Sequence, residues 1–182
     1  FGIYLANVNP DFFYTPDTGT YVILAKQLCE VGKFLNVINL PEIYRTPGFP
    51  IILMPAICYD INLNYYIVFL NSLSLLLSAY LVSEIIKIMK IDINNVFIFF
   101  IFLLDPTLSR YQYSILNEIV VLFFICLILY LFIFGLIKKN PYYFIIGFFA
   151  LTISTFIRPI TLYLPYVLFI ILCLIFIFSK FF

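Results

Sequence analysis

The chain divides into one polar segment followed by a series of apolar runs. From residue 63 onward apolar residues dominate, and several runs approach the ~20 residues that cross ~30 Å of hydrocarbon. The run Val96–Leu104 is too short to cross the bilayer by itself, so we expect either that flanking residues extend it or that it is re-entrant. The predicted spans are Leu63–Ile86, Val96–Leu104, Ile119–Ile137, Tyr142–Ile157 and Leu162–Phe178. We therefore expect an all-α, polytopic membrane helical bundle, with about five spans in residues 63–182.

Residues 9–62 form the polar segment, and within it two helices are predicted. Thr18–Val31 places apolar side chains at helical spacing, which is typical of a helix lying along a membrane surface. Its apolar stripe consists of Tyr21, Leu24, Ala25, Leu28 and Val31. Ile51–Tyr59 is apolar but too short to span, so we expect a second, half-buried helix. The segment is predicted to be a long extracytoplasmic first loop with juxtamembrane amphipathic helices.

Composition supports this class and excludes others. Hydrophobic residues make up 65% of the 182 residues and charged residues only 10%. A net charge of +1 without a basic run gives no reason to expect a nucleic-acid partner. The chain has no histidine, which removes imidazole bases, histidine metal sites and Ser-His triads. The sequence points to no cofactor. A requirement for a divalent cation stays open, and no set of residues is predicted to bind one.

The four cysteines match no metal-binding spacing. Cys126 and Cys173 lie inside apolar runs and are expected to be buried thiols. Cys29 and Cys58 both belong to the first loop, so a disulfide between them is open, although two free thiols are the favoured alternative.

The two ends of the chain suggest a longer protein. The chain begins at Phe1 without an initiator methionine, and Phe1–Val8 resembles the tail of an earlier spanning helix. We expect residues 1–182 to be a single transmembrane domain, and a fragment.

Loop charge gives a weak indication of orientation. If the first loop is outside, all three arginines are outside and the lysines after the later spans are cytoplasmic. The arginines are Arg45, Arg110 and Arg158, and the lysines are Lys87, Lys90, Lys138, Lys139 and Lys180. Counting every residue of the first loop adds Lys26 and Lys33 outside and makes the two sides equal, so the rule favours this orientation without deciding it.

Asp105-Pro106 is typical of a helix start, with Asp as the N-cap and Pro at the first helical position. A helix continuing from there would place Arg110, Ser114 and Glu118 on one face. We expect Arg110 and Glu118 to pair with each other.

Two motifs in the first loop carry a family resemblance. They are Asp17-x3-Tyr21-x3-Ala25-x2-Leu28-x3-Gly32 and the later Tyr44-Arg45-Thr46-Pro47-Gly48-Phe49-Pro50. Together they resemble the first extracytoplasmic loop of GT-C glycosyltransferases, in the family 39 branch of protein O-mannosyltransferases and lipid A aminoarabinose transferases. Asp105-Pro106 and Arg158-Pro159 resemble later family segments more loosely. Many members have Asp-Glu where this chain has Asp17-Thr18.

The resemblance implies a function. Such an enzyme moves a sugar from a polyprenyl-phosphate donor to an acceptor hydroxyl or amine at the extracytoplasmic face, with inversion. The partners would be that donor, the bilayer of a bacterial or archaeal cell, and an acceptor glycan, lipid or protein. Asp17 would be the catalytic base. The implied substrate-binding residues are Tyr21, Arg45, Arg110, Glu118 and Arg158.

Other interpretations stay open. Asp17 could only cap the surface helix, and Arg45 could only anchor to lipid headgroups. At the level of function, the alternatives are a transporter or flippase for a lipid-linked or small anionic solute, and a non-catalytic membrane subunit.

Overall fold

The protein is described by a computed structural model that covers residues 13–36, 38 and 40–167. Within these residues the regular structure is helical, which confirms the predicted all-α class. The helices are α1 (Thr18–Val31), α2 (Gly48–Cys58), α3 (Leu63–Ile88), α4 (Asn95–Leu104), α5 (Pro106–Gln112), α6 (Glu118–Lys138), α7 (Tyr142–Ile157) and a 3₁₀ helix, Pro159–Tyr163. The predicted helix tail Phe1–Val8 and most of the predicted span Leu162–Phe178 lie outside the described residues.

Several helices begin at side chains that satisfy their first backbone N–H groups. The Asn62 amide oxygen accepts from the two N–H groups at the start of α3, and Asn94 does the same for α4. Asp105 accepts from the backbone N–H groups of Thr107 at 2.8 Å and Leu108 at 2.9 Å. The predicted cap at Asp105-Pro106 is therefore confirmed.

Among the described residues, α3 and α6 are the two helices long and apolar enough to cross a membrane. They run in the same direction, because Asn71 of α3 contacts the turn before α6 and Ser78 contacts Cys126 farther along. Helix α7 returns antiparallel to α6, since Phe144 at its start lies against Gly135 near the end of α6. The starts of α3 and α6 and the end of α7 therefore share one end of the molecule.

Helices α4 and α5 together run back alongside α3. Near the start of α4, the Ser83 hydroxyl donates to the Asn95 carbonyl at 3.1 Å. At the end of α5, Gln112 donates to the Ser72 hydroxyl at 2.5 Å. The two α3 serines are separated by about 16 Å of helix rise. The short α4 is thus continued by α5 toward the end where α6 begins.

The structure interrupts the helix predicted to carry Arg110, Ser114 and Glu118 on one face. Helix α5 ends at Gln112 and α6 begins at Glu118, so that prediction is wrong. The buried Asn71 side chain stabilises the interruption by donating to the carbonyls of Gln112 and Ser114, at 3.1 Å each. Because the helix is interrupted, these carbonyls lack the backbone N–H partners that a continuous helix would give them. The Asn71 amide supplies hydrogen bonds in their place.

A glycine permits the close approach of α2 and α7. A Cβ added to Gly48 would lie 2.4 Å from the Phe156 carbonyl oxygen and 2.7 Å from the Ile157 nitrogen. Both neighbours are backbone atoms, which cannot swing aside as a flexible side chain can. Helix α2 therefore begins in direct contact with the end of α7.

We predict that Gly48→Ala lowers the free energy of unfolding by roughly 1–3 kcal/mol, because the methyl group must push α2 away from α7. Thermal unfolding of the detergent-solubilised protein measures this. Gly19→Ala is the matched control, because a Cβ there meets nothing within 4 Å and alanine favours the helix. Equal stability of the two variants would contradict the close contact.

Candidate functional site

Four chain segments meet around a cavity of about 200 Å³ at the end of the molecule where α6 begins. They are the start of α1, the residues ahead of α2, the turn before α6 and the end of α7. Charged and polar side chains face this cavity from both the α1–α2 side and the α6–α7 side. The ones that matter below are Asp17, Tyr21, Arg45, Asn117, Glu118 and Arg158.

Asp17 occupies the N-cap position of α1, but its carboxylate makes no capping hydrogen bond. The Asp17 carboxylate accepts from Nη2 of Arg45, twenty-eight residues later in the chain. The interpretation of Asp17 as a simple helix cap is therefore wrong, and its carboxylate belongs to the cavity.

Arg45 is held on two sides. Its Nη1 donates to the Tyr21 hydroxyl at 3.4 Å, and its guanidinium carbon lies 5.3 Å from the centre of the Tyr21 ring. Burial alone would lower the pKa of Arg45, but Asp17 and Tyr21 outweigh it and raise that pKa above its ordinary value. The guanidinium is thus a permanent cation at the cavity surface.

A second ion pair lies on the α6–α7 side. Arg158 donates from Nη1 to Oε1 of Glu118 at 3.1 Å. The other oxygen of Glu118, Oε2, is buried and has no hydrogen-bond partner among the described residues. The predicted pair of Arg110 with Glu118 is wrong, because the interruption after α5 turns Arg110 away and α7 brings Arg158 to Glu118. Arg110 is exposed and does not line the cavity.

Asn117 and Thr46 connect the two sides of the cavity. The carbonyl of Ile157 accepts from the Thr46 hydroxyl and from Nδ2 of Asn117, at 3.1 Å each. The same amide nitrogen lies 3.5 Å from the Tyr21 hydroxyl, and Asn117 is only 3% exposed. Sequence reasoning did not assign either residue to the site. The one sequence signal for Asn117 was the position of its polar amide just ahead of the long apolar run that begins at Ile119.

An apolar groove of about 420 Å³ adjoins the polar cavity. Side chains of α5 and α6 line it, among them Leu108 and Leu122. Glu118 and Arg158 line both spaces, so the second ion pair lies where the polar cavity meets the groove. The arrangement suits a ligand with a charged head and an apolar tail.

The structure therefore brings together five of the six residues proposed from the sequence and leaves Arg110 outside. Across the described ranges, no three Cys, Asp or Glu side chains converge as a metal site would require. No protein-family model, curated protein or solved structure matches the chain. The family resemblance stays a prediction, and the chemistry of the site is argued from its geometry.

We predict that Asn117→Ala destabilises the fold more than Asp17→Asn does. Removing the buried amide deletes one hydrogen bond to the Ile157 carbonyl, worth about 0.5–1.5 kcal/mol, and the cavity it leaves in the packed interior adds to that loss. The Asp17–Arg45 pair is half exposed on the aspartate side, and exposed pairs contribute only about 0.2–1 kcal/mol. Thermal unfolding of both variants in the same detergent gives the order, and the reverse order would contradict the role assigned to Asn117.

Proposed function

We propose that the protein is a membrane glycosyltransferase that uses a polyprenyl-phosphate sugar as donor. It transfers the sugar, with inversion, to an acceptor hydroxyl or amine at the extracytoplasmic face. One observation carries the proposal: a carboxylate and two guanidinium groups from distant parts of the chain share a cavity that opens onto an apolar groove. The family resemblance of the first loop points to the same chemistry.

A multi-pass arrangement in a bilayer fits the exposed surface. Helices α3 and α6 meet the length and composition of membrane spans. We infer that α4 and α5 together make one return crossing, because they follow α3 in the opposite direction and α4 has no buried residue. Large apolar side chains are exposed on α4 and α7, among them Phe97, Phe100 and Phe149. Such a surface suits contact with lipid.

The placement of charge favours an extracytoplasmic site. Lysines lie in the last turns of α3 and α6 and just after them, at the end of the molecule opposite the cavity. They are Lys87, Lys90, Lys138 and Lys139. Counted near the helix ends, the positive-inside rule favours a cytoplasmic location for this lysine-rich end, and the arginine-lined cavity would then face outward.

The two arginines suit an anionic leaving group. When the bond between the anomeric carbon and the phosphate oxygen breaks, the electron pair stays on the phosphate. Arg45 and Arg158 could stabilise that charge, because guanidinium groups donate two parallel hydrogen bonds to phosphate oxygens. Each guanidinium is paired with a carboxylate, and both pairs are partly exposed. A phosphate can replace such weak partners at small cost.

Asp17 is the proposed general base. A carboxylate acts as a base when it lies within hydrogen-bond reach of the acceptor O–H or N–H, whose proton it takes as the new bond to the anomeric carbon forms. Asp17 uses one oxygen for Arg45. Movement of Arg45 toward the donor phosphate would release that oxygen, so donor binding would prepare the base.

The groove gives the polyprenyl tail a place next to the phosphate. Glu118 and Arg158 lie at its junction with the cavity, so a phosphate near Arg158 would direct its attached chain between α5 and α6. The two spaces together fall within the ~300–1,000 Å³ typical of ligand sites.

We predict that Asp17→Asn lowers the transfer rate at least about a hundredfold while the thermal midpoint changes little, because the amide cannot accept the proton. The measurement is transfer of labelled sugar from polyprenyl-phosphate donors by the full protein in proteoliposomes. Asp60→Asn is the matched control: Asp60 lies in the same loop, away from the cavity, and asparagine tolerates its positive φ of 52°. Wild-type transfer by Asp17→Asn would refute the assignment.

We also predict that Arg45→Ala weakens donor use more than Arg110→Ala does, because only Arg45 lines the cavity. The ratio kcat/KM for the donor should fall about tenfold or more for Arg45→Ala, the loss expected for one charge-assisted hydrogen bond. Equal losses in the two variants would show that the cavity is not the donor site.

A further inference from the structure

Helices α1 and α2 lie side by side in the same direction and are joined at both ends. At their starts, Asp17 pairs with Arg45, and the Tyr21 ring contacts Phe49 edge-on at 5.0 Å between ring centres. At their ends, Cys29 and Cys58 form a disulfide with their Cα atoms 5.7 Å apart, within the usual range for such bonds. The expectation of two free thiols at these positions is therefore wrong.

We infer that this disulfide is a structural bond of the native protein, formed in an oxidising compartment, and that it sets the register that places Asp17 beside Arg45. The inference does not rest on the proposed transferase activity. Asp17 directly precedes α1, and Arg45 lies three residues ahead of α2. Once Cys29 and Cys58 are bonded, sliding of one helix along the other is blocked, so the distance between the two starts is fixed.

The packing between the two ends supports this role. Tyr21 and Ala25 of α1 and Phe49 and Leu53 of α2 belong to one buried cluster, so the two helices pack together between the ion pair and the disulfide. The ion pair is partly exposed and weak by itself. The covalent bond at the other end does not open by local fluctuation.

The disulfide is accessible to exchange chemistry. Cys58 is exposed and Cys29 is half-buried, and both line an open surface cavity of about 560 Å³. Its formation is a thiol–disulfide exchange: the two thiols give up two electrons and two protons to a second disulfide, carried by a protein or small molecule, which becomes a dithiol. Cys126, by contrast, is a buried free thiol in α6.

The Cys29–Cys58 disulfide indicates which side of the membrane the first loop occupies, and it does so independently of the distribution of charge. Disulfides persist in oxidising compartments and are rare where glutathione and thioredoxin keep thiols reduced. Counting loop charges in the sequence left the two faces equal. A native disulfide at Cys29 and Cys58 assigns α1, α2 and the cavity at their starts to the outer face.

The test uses the full protein in native membrane vesicles, with Cys126→Ser and Cys173→Ser so that only the pair reports. After denaturation, a maleimide that adds mass should label no cysteine before reduction and two after it. A membrane-impermeant phosphine reductant should free both thiols in right-side-out vesicles and neither in sealed inverted ones. Labelling of both thiols without reductant, or reduction only in inverted vesicles, would overturn the inference.

A second experiment tests the structural coupling. Cys29→Ser, Cys58→Ser and the double variant should all lower the thermal midpoint by the same amount, roughly 5–15 °C, because each removes the same bond. Additive shifts would show that the two residues act separately.

The double variant should also be cleaved by trypsin after Arg45 about tenfold faster than wild type, since proteolysis follows the population of the opened loop. A control variant with unchanged net charge, Asp60→Asn/Lys33→Gln, should be cleaved after Arg45 at the wild-type rate. An unchanged rate in the Cys29→Ser/Cys58→Ser variant would refute the coupling of the disulfide to the cavity. Transfer activity is not measured in any of these assays, so their outcome is separate from that of the proposed function.

Discussion

The carbonyl oxygen of Ile157 receives hydrogen bonds from Thr46, just ahead of α2, and from Asn117, just ahead of α6. One acceptor at the end of α7 thereby holds two segments that are far apart in the chain. It can do so because Gly48 lets the α2 backbone come into contact with α7, and because Pro159, which has no N–H, stops the helix there. The spacing between the two ion pairs follows from this junction.

Most helices could be predicted from the sequence because their causes are local. Thr18–Val31 and Tyr142–Ile157 have the predicted bounds, set by apolar periodicity and by nearby Pro and Gly residues. The interruption between α5 and α6 could not be predicted in this way. It is stabilised by Asn71, about forty residues earlier, whose amide replaces backbone hydrogen bonds. A polar side chain buried in an apolar run is the only trace that such a contact leaves in the sequence.

The site was predictable in its residue types and only partly in its pairing. The loop motif identified Asp17 and Arg45, but nothing in the sequence indicated that they bond to each other. Glu118 was matched with Arg110 because helical spacing was the only geometry available; the partner brought by α7 is forty residues away. Pairs of residues that are brought together by the packing of separate helices cannot be predicted from local sequence patterns. The disulfide between α1 and α2 is another pair of this kind.

The paired arrangement of charges at the cavity has a kinetic consequence. Two carboxylates stand beside two guanidinium groups, so their charges sum to zero and produce little field beyond the cavity mouth. Long-range attraction, which accelerates the capture of anions by strongly basic surfaces, is therefore small here. An anionic ligand would be recognised only on arrival, through short directional contacts, and its association rate would vary little with ionic strength.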